Sequence, residues 1–368
     1  MSEWYKINNS DQVDSPALAV YPSRISENIE LVKNIAGDVD KLRPHVKTNK
    51  MAEVCRMMTQ AGITKFKCAT IAEADMLAIE CIPDVLLAYQ PVGPKIKRFV
   101  SLVKAYPRTK FSCLVDDEQN AKLINRICEE ENIILDVYID LNVGMNRTGI
   151  LPEKAPQLAK TIQSLGHLHL GGIHGYDGHI HDEDISLRQE AGDESFALVK
   201  RVMDEIGSWF SYPLVMVIGG TPTFPVHIHR EGKIECSPGT FVFWDWGYKH
   251  MLADLSFEYA ALVISRVISI VDKHHICIDL GHKSVAAENP LPRVHFLNEP
   301  EAKPVAQSEE HLVLEVADSS KYTLGDIFYS VPVHICPTVA LYDKVYVIEN
   351  NEKITQWNVV ARNRSINF

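Results

Sequence analysis

The sequence predicts an α/β protein: a (β/α)8 TIM barrel running to about residue 250, followed by an antiparallel β domain over residues 251–368. Three observations lead there. Eight short apolar runs alternate with longer amphipathic stretches between about residues 40 and 240. After about residue 255 the texture changes to β-branched runs with few helical windows between them. The chain is 368 residues long and 46% apolar, enough for a sizeable core.

In order, the barrel runs are KLRPHVK (41–47), KFKCAT (65–70), DVLLAYQ (84–90), KFSCLVD (110–116), ILDVYIDL (134–141), HLHLGGIHG (167–175), PLVMVIGG (213–220) and KIECSPG (233–239). The stretches between them read as helices. MAEVCRMMTQAG (51–62) puts Val54, Met57 and Met58 on one face and ends in glycine. DDEQNAKLINRICEEEN (116–132) opens with acids and carries Leu123, Ile124 and Ile127. The long window 182–207 is expected to break near Gly192, with Asp182 as a helix N-cap. An open doubly wound sheet also alternates strands and helices, but the count of eight over roughly 200 residues favours the barrel. Beyond it, YAALVISRVISIV (259–271), HHICIDLG (274–281), HLVLEVAD (311–318), GDIFYSVPVHI (325–335) and KVYVIEN (344–350) read as strands.

The totals exclude several classes of function. A net charge of −11 disfavours nonspecific nucleic-acid binding. The N-terminal stretch has no apolar signal core, and no run of about 18 apolar residues could span a bilayer. The eight cysteines are scattered without pairing-type spacing, as expected of free thiols in a reducing compartment. A cytoplasmic globular protein is the expectation.

Chemistry-bearing residues gather at the C-terminal ends of the predicted barrel strands, where barrel active sites form. Lys47 sits at the first strand's exit; a partly desolvated lysine there can form a Schiff base, while a surface position is the alternative for this residue taken alone. Arg147 follows the glycine turn after the fifth strand and could bind an anionic oxygen, or face solvent. VIGGTPT (217–223) and CSPGT (236–240) place Gly-Thr pairs at two consecutive exits, the position of many barrel phosphate sites. HGYDGHIHD (174–182) concentrates three histidines, a tyrosine and two aspartates, suited to acid–base or metal work. A lysine, an arginine, two phosphate-cradling loops and an acid–base cluster together suit pyridoxal 5′-phosphate. In the β domain, His334 and Cys336 are two apart; in a strand both would face one way, and both are zinc ligands by type.

Eight ordered motifs make the chain similar to the metal-dependent D-threonine aldolase and D-serine dehydratase family, fold-type III pyridoxal phosphate enzymes distantly similar to alanine racemase. They are RPHVKTNK (43–50), CATIAEA (68–74), VGMNRTG (143–149), GGT (219–221), SPGTFVFWD (237–245), DLGHK (279–283), SEEH (308–311) and VPVHICPT (331–338). The resemblance implies a cofactor barrel over 16–250, with about residues 1–15 joining the C-terminal β domain. It implies that Lys47 is the Schiff-base lysine and Arg147 the partner of the cofactor's phenolic oxygen. Tyr176 would lie at the cofactor, and Gly220, Thr221, Gly239 and Thr240 would form the phosphate cup. His334 and Cys336 would be the divalent-metal pair and His181 the catalytic base. Cysteine favours zinc over manganese by ligand softness. Asn49 stands where the family's second histidine is usual. The implied activity is cleavage of a D-β-hydroxy amino acid, first as D-threonine aldolase, with D-serine dehydratase as the alternative and an amino-acid racemase third. The resemblance also implies a homodimer.

Overall fold

The computed structural model describes residues 3–364. The chain packs as two compact units. One holds the residues up to Leu31, Thr48–Val54 and Thr240–Arg362; the other holds Val32–Lys47 and Cys55–Gly239. The first strand, β1 (Ala17–Val20), belongs to the former unit.

In the barrel unit, β2 (Lys65–Cys68), β3 (Asp84–Leu87), β4 (Lys110–Val115), β5 (Leu135–Leu141), β6 (Leu168–Gly175), β7 (Val215–Ile218) and β8 (Ile234–Glu235) form one parallel sheet in sequence order. Such strands are covered on both faces, so they read as nearly continuous apolar runs; Val85, Leu86 and Leu87 are all fully buried. The predicted strand over 41–47 makes no regular ladder. Pro44 has no N–H to give, so the segment joins its neighbours by isolated bridges, Leu42 to Cys236 and His45 to Lys67. Arg43 N donates to Cys236 O at 2.8 Å and Val46 N to Lys67 O at 2.9 Å, linking the sheet's two edges and closing the ring. Arg43, 1% exposed, secures this closure by reaching Glu235 and Asp84 at 2.6 Å each.

Glycine is required where β6 meets its neighbours. A Cβ at Gly172 would lie 1.9 Å from the Val215 carbonyl oxygen, and one at Gly171 would lie 2.9 Å from the Tyr138 ring. The window 182–207 forms one unbroken helix, Ile185–Ile206, capped by Asp184 and not by Asp182. Gly192 does not break it; a Cβ there would come 2.9 Å from the Val226 side chain, so its role is close packing. The helix Glu118–Glu130 is capped by Asp117 and buries Ala121, Ile124, Ile127 and Cys128.

In the other unit, β9 (Ala261–Ile270), β10 (His275–Ile278), β11 (Val294–Phe296), β12 (Lys303–Gln307), β13 (Leu312–Glu315), β14 (Ile327–Pro332), β15 (Lys344–Glu349) and β16 (Glu352–Asn358) build a nine-stranded sheet with β1. Its path is β12-β13-β10-β9-β1-β15-β16, with β14 pairing β9 and β11. Every pairing is antiparallel except β1 with β15. The sequence reading put residues 17–20 in the barrel; their pairing puts them at the centre of this sheet, where all four are buried. Around them Ile7, Val13, Tyr21, Leu262, Ile264, Tyr329 and Val331 form a core.

No helix among the described residues is long and apolar enough to cross a membrane. All eight cysteines are free thiols.

Candidate active site

The barrel cluster is organised by Tyr176, which opens the loop after β6. Its ring lies against backbone without side chains: a Cβ at Gly178 would come 2.3 Å from the ring, and one at Gly220 3.1 Å. Three cations face that ring, with Arg147 at 5.1 Å, Lys67 at 5.4 Å and Lys47 at 5.8 Å from its centroid. Cations are drawn to an aromatic face. Lys47 is half-buried just past the last bridge of the barrel's irregular segment. Arg147 is carried on a turn built by Asn142, whose Oδ1 accepts from Gly144 N and Asn146 N at 3.1 Å. Gly149 ends that turn at φ +100°, and its N–H donates to Asp116 at 3.0 Å. The structure thus brings Lys47, Arg147 and Tyr176 together.

The sequence reading missed Lys67. It is 4% exposed on β2, and its Nζ lies 2.9 Å from His174 Nε2. His174 Nδ1 in turn lies 2.7 Å from Asp140. Burial and the Lys47 charge bring the Lys67 ammonium down to about 7, against the pull of Asp140 and Asp177. Burial, with the charge of Lys67, also holds His174 below the usual imidazole range. For Asp140 burial works upward, but hydrogen bonds from His174 and Thr148 and the Lys67 charge win and hold it low. Nothing in the sequence marks it: lysines flank Phe66 on both sides, and only burial separates Lys67 from Lys65.

The two glycine loops meet. Ser237 N donates to Gly219 O at 2.8 Å, and Gly239 N donates to Thr221 Oγ1 at 3.1 Å. Beside them the shielded Ser237 hydroxyl has no hydrogen-bond partner among the described residues. An orphaned buried hydroxyl at a glycine-lined turn suits a phosphate oxygen. The loop that follows Tyr176 is tied down by Asp177, fully buried, which accepts from Thr223 and lies 2.8 Å from His227 Nε2. His181 lies exposed on the same loop and makes no hydrogen bond or ion pair among the described residues. Nothing in the structure draws it to the cluster at Tyr176.

His334 and Cys336 are not on a strand. β14 ends at Pro332, and His334 is the N-cap of a short helix, Ile335–Val339. They still meet, because the helical turn brings the Cys336 thiol to the His334 ring as a hydrogen-bond partner. Glu288, also unforeseen, lies 2.5 Å from His334 Nδ1, so Nε2 is the ring nitrogen that this carboxylate does not engage. Burial draws the His334 pKa down, but the Cys336 and Glu288 contacts outweigh it and raise it to about 9. The hydroxyls of Thr48 and Thr240 lie 3.1 and 3.6 Å from the Cys336 sulfur. The Thr240 hydroxyl thus stands beside the thiol, while its backbone follows directly on Gly239. No group of three or more His, Cys, Asp or Glu is set to hold a metal among the described residues. A histidine backed by a carboxylate and facing a thiol fits a divalent ion that keeps positions open for other ligands. Asn49 is buried, and its Oδ1 accepts from Met51 N at 3.0 Å.

The chain is similar to several known proteins along nearly its whole length. The D-threonine aldolase of Arthrobacter sp is 25% identical over 365 residues, 95% of this chain and 93% of that protein. The D-threo-3-hydroxyaspartate dehydratase of Delftia sp. (strain HT23) is 22% identical over 94% of this chain and 97% of that protein. The crystal structure of D-threonine aldolase from Filomicrobium marinum superposes with a TM-score of 0.88 at 23% identity, covering 95% of each chain. Residues 260–348 match the putative serine dehydratase domain. Residues 20–243 match the alanine racemase N-terminal domain, and the chain belongs to that family.

Proposed function

We propose that the protein is a lyase of D-β-hydroxy amino acids that uses pyridoxal 5′-phosphate and a divalent metal, acting first as a D-threonine aldolase. The observation that carries this reading is the oriented donor pair of the β unit: Glu288 behind His334, with Cys336 against the ring. A racemase has no need of such a pair. Relatives named as aldolases and dehydratases, similar along nearly the whole chain, support the same reaction class.

In this reading Lys47 would be the residue that holds the cofactor through its aldehyde carbon, and the Arg147 guanidinium would donate to its phenolic oxygen. Gly220, Thr221 and Gly239 offer N–H and hydroxyl donors to its phosphate, with Thr240 next in the chain, and Tyr176 lines its ring. His334 and Cys336 hold the metal, zinc before manganese because a thiolate is a soft ligand. Bound there, the cofactor supplies an electron sink and the metal a Lewis acid for the substrate's β-hydroxyl. His181 would take the hydroxyl proton, so that the β-carbon becomes a carbonyl as the Cα–Cβ bond breaks, and a proton returned to Cα would complete glycine beside the aldehyde.

One observation favours a second reading. The metal pair carries cysteine, a soft ligand of the kind that the resemblance attaches to dehydratases. There Lys47 would take the Cα proton as hydroxide departs from the β-carbon, and a water would then hydrolyse the resulting enamine, in its imine form, to a keto acid and ammonia. Incubation with D-threonine and with D-serine, each with and without chelator, separates the readings. Glycine plus aldehyde from D-threonine, lost on chelation, is expected. Ammonia from D-serine without glycine from D-threonine selects the dehydratase, and chelator-insensitive racemisation rejects both.

A further inference from the structure

We propose that the hydroxyls of Thr48 and Thr240 tune Cys336 as a metal ligand: both donate to its sulfur when an ion holds it, and so keep electron density from passing to that ion. This rests on the reading of His334 and Cys336 as the metal pair.

The three side chains belong to the β unit. Thr48 Oγ1 lies 3.1 Å and Thr240 Oγ1 3.6 Å from Cys336 Sγ. Thr48 is the decisive one. It is fully buried, and the sulfur is the only hydrogen-bond partner of its hydroxyl among the described residues. Leaving a buried hydroxyl unpaired costs about 1–3 kcal/mol, so the contact is favoured whichever form the sulfur takes. Thr240, also buried, opens the turn Thr240–Val242 and reaches the sulfur from a second segment of the chain.

The sulfur is held where both hydroxyls meet it. Ile335 N, at the start of the short helix that carries Cys336, donates to the buried Asp245 carboxylate at 3.1 Å. The Thr338 hydroxyl, one turn on, donates to His334 O at 2.8 Å and accepts from Ala286 N at 3.1 Å. The helix is thereby fixed at its first turn, and the side chains of Thr48 and Thr240 face a sulfur that does not wander.

The direction of the two contacts follows from chemistry. A free thiol can donate or accept. A metal takes the sulfur as thiolate, which has no hydrogen to give, so the hydroxyls become the donors. A thiolate with no such donors passes much of its charge to the ion. Two O–H donors retain part of that charge on the sulfur, and the ion keeps more of its own for the substrate's β-hydroxyl. The cysteine is thus brought toward the donor strength of a carboxylate, as an ion acting as a Lewis acid requires.

The test titrates cobalt(II) into the metal-free, full-length protein. Absorbance follows the sulfur-to-cobalt charge-transfer band in the near ultraviolet, which Cys336→Ser should abolish. Thr48→Val keeps the side chain's shape and removes its hydroxyl. The band should move to longer wavelength, because a sulfur without that donor releases electrons more easily. Cobalt affinity should fall about tenfold, the lower end for losing a group that supports a ligand. Thr48→Ser keeps the hydroxyl and should hold both readings at the wild-type values. Thr240→Val, at the longer contact, should shift the band the same way and by less. Thermal melts report folding; a hydroxyl with a merely structural role changes the melting temperature and leaves the band in place. An unmoved band in Thr48→Val, or in Thr240→Val if the first variant does not fold, overturns the proposal. So does a serine variant that behaves as the valine does. Wild-type protein that shows no sulfur band refutes the metal pair itself and this proposal with it, whereas a wild-type band that the variants fail to move refutes this proposal alone.

Discussion

Replacing Arg43 with leucine should destabilise the barrel unit by about 3–5 kcal/mol, the range for removing one partner of a buried ion pair. The side chain is 1% exposed and holds two carboxylates, Asp84 and Glu235, each at 2.6 Å. Leucine leaves both without their cation, but not equally stranded. Glu235, only 7% exposed, keeps Lys65 at 2.8 Å, while Asp84, 23% exposed, can recover water. Both remedies pull the cost toward the lower end, about 3 kcal/mol. For a cooperative unit of about 200 residues this is a fall in melting temperature of roughly 6–12 °C. Circular dichroism melts, with urea titrations at unchanged m-value, measure it. Adding Glu235→Leu to the variant should recover part of the loss, since the more deeply buried of the two carboxylates is then gone and the remaining one, Asp84, can reach water. A single variant melting within about 2 °C of wild type, or a double variant weaker than the single, would refute the account of barrel closure.

Three further outcomes are expected. Gly172→Ala drives a Cβ to within 1.9 Å of the Val215 carbonyl oxygen, so β6 and β7 must separate; the loss should be at least about 2 kcal/mol in urea unfolding, and a neutral result would mean the strands yield freely. Lys67 titrates at about 7 when folded, against an ordinary 10.5, so the unfolded chain binds more protons between those values. Cofactor-free stability should therefore rise with pH across that window, and Lys67→Met should flatten the rise in melts at stepped pH. Cys336→Asp exchanges a soft ligand for a hard one; equilibrium dialysis should show the zinc-over-manganese preference falling by roughly tenfold or more, and an unchanged ratio would place the metal elsewhere.

Much of the fold was legible because parallel strands covered on both faces leave continuous apolar runs. DVLL and LDVYIDL give themselves away by composition alone. The barrel's first segment was located correctly but misjudged in kind, since Pro44 interrupts a ladder that the apolar pattern implies. ALAV at 17–20 was hidden because a strand's partners are not encoded locally; only β9 and β15 show which sheet it enters. At the site, Lys47, Arg147 and Tyr176 were findable from their places at strand exits. Lys67 was not, because two lysines flanking Phe66 look like an exposed edge until burial is known. Glu288 was invisible for a plainer reason: 46 residues separate it from His334, and no spacing rule spans that distance.

The thiols carry a practical consequence. Cys55, Cys68, Cys113, Cys128, Cys236 and Cys277 are buried, and burial pushes Cys113 and Cys236 up and Cys128 to about 12. A thiolate is the reactive form, so these six are silent toward alkylating reagents in the native state. Cys81 is exposed and Cys336 half-exposed. Native alkylation thus reads two positions with opposite uses: Cys81 as a constant internal standard, and Cys336 as a gauge that a bound ion would shield. At the proposed metal pair, Cys336 alkylation would report occupancy stoichiometrically, without substrate or turnover.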